Sequence, residues 1–259
     1  MAASSTWPTP IGSVERFAMN RSTPRYAIYF VPGADTALYR FGTSVLGYDC
    51  YTGQPAKLMD GVDESWVERV REPRVYGFHA TFKAPFRLAK EFSENDLDQA
   101  VLSFVSDQPA ILVGELMVCE LGSFIALVPK TPRPLLDRFA GACVRELDRF
   151  RAPLGEQERK RRRAADLSGR QIENLEQWGY PYVFEDFRFH MTLTGSLPPS
   201  DRSRALQLLC GKFEQLPDAR SLVIDRVVIA RQIEKAGLFR VIQQAPLGQS
   251  VYRPYAYSF

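Results

Sequence analysis

Two short segments of this chain repeat one pattern: Phe78-His79-Ala80-Thr81-Phe82 and Phe189-His190-Met191-Thr192-Leu193. Each alternates apolar and polar residues, the signature of a strand with one buried face. Side chains two apart project together, so His79 and Thr81 share a face, as do His190 and Thr192, while Phe, Ala, Met and Leu point into a core. The chain has only two histidines, and both stand in this setting. Any fold for it must therefore provide two rigid, well-packed strands that each offer an imidazole and a hydroxyl.

The rest of the sequence supplies elements around those strands. Arg25 to Val31 reads as a strand, and Asp35 or Thr36 caps a helix that Gly47 ends. A short helix surrounds Trp66, Val67 and Val70, and Val75 to Phe86 is the first motif strand. Ser93 with Asp96 opens a helix carrying Leu97, Val101 and Val105. Ile111 to Cys119 and Ser123 to Val128 form a hairpin. Thr131 and Pro134 then start a helix with Leu135, Leu136, Phe139, Cys143, Leu147 and Phe150 on its buried stripe. The segment from Pro153 to Gly179 is polar and partly helical. Phe187 to Gly195 is the second motif strand, Ser200 caps a helix through Phe213, and Leu222 to Ala230 with Leu238 to Gln244 close as a hairpin. The order is a rough duplication, each half offering a central strand, a helix and a returning hairpin. Antiparallel hairpins between helices predict an α+β fold, not a doubly wound parallel sheet. The expected layout is an N-terminal arm (1–24), mobile and without the basic start and apolar block of a signal peptide, then one bilobed domain (25–245). Residues 153–179 form a basic helical insertion in it, and residues 246–259 a tail.

Composition excludes several classes. With 259 residues, 45% of them hydrophobic, there is enough apolar material for a core. A net charge of +3 is too balanced for a general nucleic-acid or membrane binder. Cys50, Cys119, Cys143 and Cys210 are widely spaced with no CxxC pair, which argues against a disulfide framework or a structural zinc and for a cytoplasmic setting.

Two imidazoles facing one cavity suit in-line displacement at phosphorus. A neutral histidine takes a proton from water or a hydroxyl, and a protonated one gives a proton to the leaving oxygen. Thr81 and Thr192 would hold the non-bridging oxygens. No metal or cofactor is needed. The competing reading is a pair of ordinary buried histidines. Lys83, Arg188 and Thr194 extend the motif strands by two residues and are candidate substrate contacts, equally readable as solvated strand ends. Tyr26 and Tyr29 lie on opposite faces of the first strand, so only one can line a groove, with Tyr26 taken as the candidate substrate contact, and Tyr182 could stack on a base or sugar or pack on the core. The run Arg159-Lys160-Arg161-Arg162-Arg163 is read as a basic lid or solvated helix ahead of an RNA track, since consecutive helical residues spread around the axis.

The doubled His-x-Thr resembles the two-histidine (2H) phosphoesterase superfamily. Longer blocks resemble one branch of it, encoded near carbon–phosphorus lyase genes and associated with phosphonate metabolism. They are Arg25-Tyr26-Ala27-Ile28-Tyr29-Phe30, Tyr76 to Phe86, Trp178-Gly179-Tyr180-Pro181-Tyr182-Val183 and Phe187 to Gly195. The resemblance implies two antiparallel sheets flanking a groove, and a metal-independent phosphodiesterase using His79, His190, Thr81 and Thr192. The substrate it implies is a small phosphate ester, a phosphoribosyl cyclic phosphate. Processing of RNA ends (2′,3′-cyclic phosphodiesterase or 2′–5′ ligase-like) is the alternative, and a non-catalytic nucleotide-binding module the second. No membrane partner is expected, and a monomer is compatible with every feature.

Overall fold

The computed structural model describes residues 23–163, 166–216, 221–234 and 236–248. Residues 1–22 of the expected arm and 249–259 of the expected tail lie outside the described residues. Strand β1 (Arg25–Phe30) forms where aromatic and β-branched residues cluster. The Tyr39 amide donates to the Thr36 hydroxyl at the head of α1 (Ala37–Leu46), and Gly47 ends that helix in the left-handed region. A small hairpin, β2 (Tyr48–Asp49) and β3 (Gln54–Pro55), leads to α2 (Trp66–Arg74) and β4 (Ala80–Phe86). Ser93 and Asp96 make the expected capping box on α3 (Glu94–Val105).

The central hairpin follows as β5 (Ile111–Leu121) and β6 (Phe124–Pro129). Helix α4 (Pro134–Leu147) buries Leu136, Phe139, Cys143 and Leu147, whereas Leu135 faces solvent, one step off the stripe. The polar segment contains α5 (Glu156–Arg163) and α6 (Gly169–Trp178). After β7 (Met191–Thr192) come α7 (Pro199–Glu214), β8 (Ser221–Ile224), β9 (Arg226–Gln232) and β10 (Arg240–Pro246).

The result is a mixed α+β fold with two sheets and flanking helices. Eight antiparallel strands run in the order β10-β9-β1-β4-β7-β6-β5-β8, and β2 with β3 forms the second sheet. The large sheet is two four-stranded halves joined at β4 and β7 by the pair Ala80↔Met191. Its hairpins are interleaved with respect to the chain. β5–β6, which follows the first motif, pairs with β7 of the second, and β9–β10 pairs with β1 beside the first. Sequence order suggested contiguous halves, but alternation specifies which face a strand buries and not which strand it joins.

Three boundaries also move. The run Leu222 to Ala230 is two strands, β8 and β9, separated by Asp225 and belonging to opposite halves. Two residues span at most about 7 Å, so the edge of one half lies beside the other half and the sheet curls round on itself. β4 begins only at Ala80, because a turn through Gly77 (φ +74°) follows α2. β7 is two residues long because the Leu193 and Thr194 amides both donate to the Ile125 carbonyl (2.9 and 3.2 Å), which breaks the alternation after Thr192.

Candidate active site

The pairing of β4 with β7 brings the two motifs together. In an antiparallel pair, one step either side of Ala80↔Met191 sets Thr81 against His190 and His79 against Thr192. Ala80 and Met191 are 1% and 0% exposed, so they point to the core. The four flanking residues share the opposite face, all half-buried. His79 and His190 stand on the diagonal of this square, where neighbours on paired strands lie about 7–8 Å apart.

Both rings are fixed by the same local bond. Nδ1–H of His79 donates to the Gly77 carbonyl (2.8 Å), and Nδ1–H of His190 to the Arg188 carbonyl (2.7 Å). A carbonyl can only accept, so the hydrogen sits on Nδ1 and Nε2 carries the lone pair. The Thr81 hydroxyl lies 3.1 Å from His79 Nε2 and donates to it. Tyr29, opposite Thr81 in the β1–β4 register, lies against the His79 ring at 3.8 Å between centroids, and Phe124 flanks His190 at 5.8 Å. Burial pushes the His79 imidazole down to about 4; the Gly77 carbonyl opposes this, and the nearby His190 adds to it. Burial lowers His190 as well, against the pull of the Arg188 carbonyl. Gly77 is required here: its φ is +74°, and a Cβ would fall 2.6 Å from Cys50 Cβ.

Of the square, Thr81 and His190 line a cavity of about 630 Å³, whereas His79, its ring against Tyr29, and Thr192 are not among the lining residues. The expected single cavity thus receives one imidazole and not both. One wall is aromatic, formed by Tyr180, Tyr182, Phe184 and Phe187, and Ala140 and Val144 of α4 also line the space. Phe184 adopts φ +54°, the only non-glycine residue with positive φ among the described residues, and is wedged between Trp178 and the Arg145 guanidinium. At the rim Arg170 donates to both oxygens of Asp186 (2.7 and 3.1 Å), and this, above all, holds the Asp186 carboxyl below the usual range. Arg188 also lines the cavity, is exposed, and makes no ion pair among the described residues.

Of the other residues named from the sequence, Tyr182 and Arg188 reach this cavity, and Thr192 sits in the square beside His79. Three do not face the site. Tyr26 is buried on β1 near Glu94 and Arg231, its hydroxyl pushed up to about 12 chiefly by burial, and Tyr29 takes the site-facing position. Lys83 is turned inward by a bulge: Tyr29 pairs with Thr81 but Ile28 with Lys83, so Phe82 is the extra residue. The side chain is 4% exposed, and its ammonium lies 2.8 Å from Asp148 Oδ1. Thr194 is fully buried, accepting from the Ile125 amide (3.0 Å) and donating to the Gly195 carbonyl (2.9 Å).

Each member of the run Arg159 to Arg163 is ion-paired to Glu156, Glu158 or Glu176. All four cysteines are free thiols. Among the described residues no group of three or more His, Cys, Asp or Glu could hold a metal ion, and no helix is long and apolar enough to cross a membrane. Sequence reasoning missed Arg170, Asp186, Phe184 and Phe187. Arg170 and Phe187 lay in noted segments but without a site role, and Phe184 and Asp186 lay in none, because the wall is assembled by loop packing that leaves no periodic trace.

A family profile described as "Protein of unknown function (DUF1045)" matches residues 81–240. Two curated proteins named ribose 1,5-bisphosphate phosphokinase PhnN are similar to the chain. One, from Janthinobacterium sp. (strain Marseille), is 36% identical over 249 residues, covering 92% of this chain and 53% of that protein. The other, from Laribacter hongkongensis (strain HLHK9), is 32% identical over 205 residues, covering 78% and 48%. The chain thus spans about half the length of the curated relatives it matches. Among solved structures, one described as a phosphoesterase aligns with a TM-score of 0.40 at 11% identity, over 88% of this chain and 100% of that one. E. coli LigT complexed with 3′-AMP aligns at 0.38 and 13%, over 88% and 100%.

Proposed function

The chain belongs to the DUF1045 family, and we propose that it hydrolyses a cyclic phosphodiester carried on a ribose, with His79 and His190 as the acid–base pair. The observation that carries this is the Ala80↔Met191 register, which sets two imidazoles and two hydroxyls on one face of joined strands. One neutral Nε2 takes a proton from water as its oxygen bonds to phosphorus. The opposite imidazole, protonated, gives its proton to the ribose oxygen as that P–O bond breaks. Thr81 and Thr192 hold the non-bridging oxygens while charge builds on them. The matching Nδ1 bonds of the two histidines support reading residues 25–245 as one bilobed unit, its two half-sheets being pseudo-repeats about the groove, with 153–179 an insertion. Free thiols suit the reducing setting of the cytoplasm.

Two ribose esters divide the support. The name of the curated relatives points to a phosphoribosyl cyclic phosphate, since opening such a ring beside the 1-position yields a ribose bisphosphate. About half of each relative lies outside the match, however, and its named activity can reside there. The aromatic wall belongs to this chain itself and favours the second substrate, a ribonucleoside 2′,3′-cyclic phosphate free or at an RNA end, whose base would stack on it. The test is turnover of cyclic mononucleotides, a cyclic-phosphate-ended oligoribonucleotide and a phosphoribosyl cyclic phosphate, followed by phosphorus NMR with EDTA present. His79→Ala and His190→Ala should each lower kcat/KM about 10²–10⁴-fold. Full activity in both variants refutes the assignment, and tight nucleotide binding without any turnover would favour a binding module instead.

A further inference from the structure

The basic helix α5 holds one residue unlike its neighbours. Arg159 and Arg163 pair with Glu176, Lys160 with Glu156 and Arg161 with Glu158, and these four side chains are 45 to 76% exposed. Arg162, at 13%, turns inward. Its Nη1 donates to the Gly179 carbonyl, and its Nη2 donates to the Pro85 carbonyl (3.2 Å) and to Glu158 (2.7 Å). The guanidinium centre lies 5.8 Å from the ring centroid of Tyr180. Glu158 also accepts from Arg87 (3.2 Å), which ties α5 to the chain just beyond β4. Gly179 is the left-handed residue that ends α6 and begins the aromatic wall, and Tyr182 meets Tyr180 edge-on at 5.6 Å.

We infer that Arg162 is a positioning residue for substrate binding, stapling the wall that carries Tyr180 and Tyr182 to the end of β4, the strand that carries Thr81. This rests on the reading of the cavity as the site of a ribose ester. The role belongs to the shape of the guanidinium and not to its charge. A planar fork reaches two carbonyls and a carboxylate in fixed directions while lying beside a ring, and an ammonium at the same place serves one of these at a time. The rest of the run supplies outward ion pairs and leaves the wall untouched.

The experiment compares the full chain with Arg162→Lys, which keeps the charge and loses the fork, Arg162→Gln, which keeps a donor pair without charge, and Arg161→Ala, which removes a neighbouring charge. KM and kcat are measured on a 2′,3′-cyclic mononucleotide, and amide hydrogen exchange across residues 178–187. Both Arg162 variants should raise KM about tenfold or more, the scale of one lost base–aromatic stack, with kcat within about twofold and faster exchange in the wall. Arg161→Ala should change neither. An Arg161→Ala effect as large as that of Arg162→Lys overturns the staple in favour of net charge, as do unaltered exchange and KM in Arg162→Lys. If the wild-type chain turns over no cyclic phosphodiester, the proposed reaction falls, and the exchange comparison still decides the staple.

Discussion

Lys83 offers the sharpest contrast between a residue that binds phosphate and one that holds the fold. Its side chain is 4% exposed, and the ammonium meets Asp148 Oδ1 at 2.8 Å, the Val144 carbonyl at 3.4 Å and the Phe86 ring at 5.5 Å. Asp148 in turn accepts two bonds from Arg151 (2.8 and 2.9 Å). Lys83→Met keeps the buried stem and leaves Asp148 with its arginine, so the loss should be about 1–2 kcal/mol. Asp148→Ala leaves a buried ammonium with one long carbonyl contact and takes from Arg151 its carboxylate, leaving it the Gln177 carbonyl, at about 3–5 kcal/mol. For a domain of this size these correspond to falls in Tm of about 2–8 °C and 6–20 °C respectively. The double variant, with no stranded ammonium, should be more stable than Asp148→Ala alone. Thermal unfolding of the three variants gives the order, and KM for a cyclic mononucleotide should be unchanged in Lys83→Met. A tenfold rise in KM at an unchanged Tm would show that Lys83 reaches the phosphate and that the inward placement is wrong.

Other expectations follow from the same contacts. The folded His79 imidazole titrates at about 4 against 6.5 when exposed. Between those values the unfolded chain binds more protons, so stability present above pH 6.5 declines as pH falls towards 4. Urea titrations across that window should show the decline, and His79→Asn should flatten it; an equal decline in the variant refutes the assignment. The acid limb of kcat/KM should likewise lie well below 6.5 if His79 is the base. Gly77→Ala should cost about 2–4 kcal/mol, from the left-handed backbone and the clash with Cys50, and should lower kcat by displacing the acceptor of His79 Nδ1. Because every cation of the run Arg159 to Arg163 is already paired, oligoribonucleotide affinity should fall only weakly with salt; a logarithmic slope beyond about −4 would show a phosphate track.

That His79 shares a face with Thr81, and His190 with Thr192, was legible because period-two alternation reports which side chains project together, and it needs only a few residues to do so. The pairing of β4 with β7 that joins them into a square was not. The capping box at Ser93 and the β5–β6 hairpin were legible for a similar reason, each being written in adjacent residues. What failed is non-local. Lys83 was placed by counting in twos, and one extra residue at Phe82 reverses the count. Nothing local separates Tyr26 from Tyr29, and Tyr26 is the wrong choice for the site because α3 brings Glu94 against it while Tyr29 meets His79. The aromatic wall depends on Arg162, Asn174 and Asp186 holding a loop, and no periodicity records a loop held by side chains from other elements.

The interleaved strand order also bears on how the chain can be made. β1 gains its second neighbour, and β5 its outer one, only from residues 221–246, the last described third of the large sheet. While the polypeptide emerges from the ribosome, both motif strands wait for that segment before either half-sheet is complete. Cutting the gene between the two motifs should therefore yield fragments that aggregate alone and recover structure only when co-expressed.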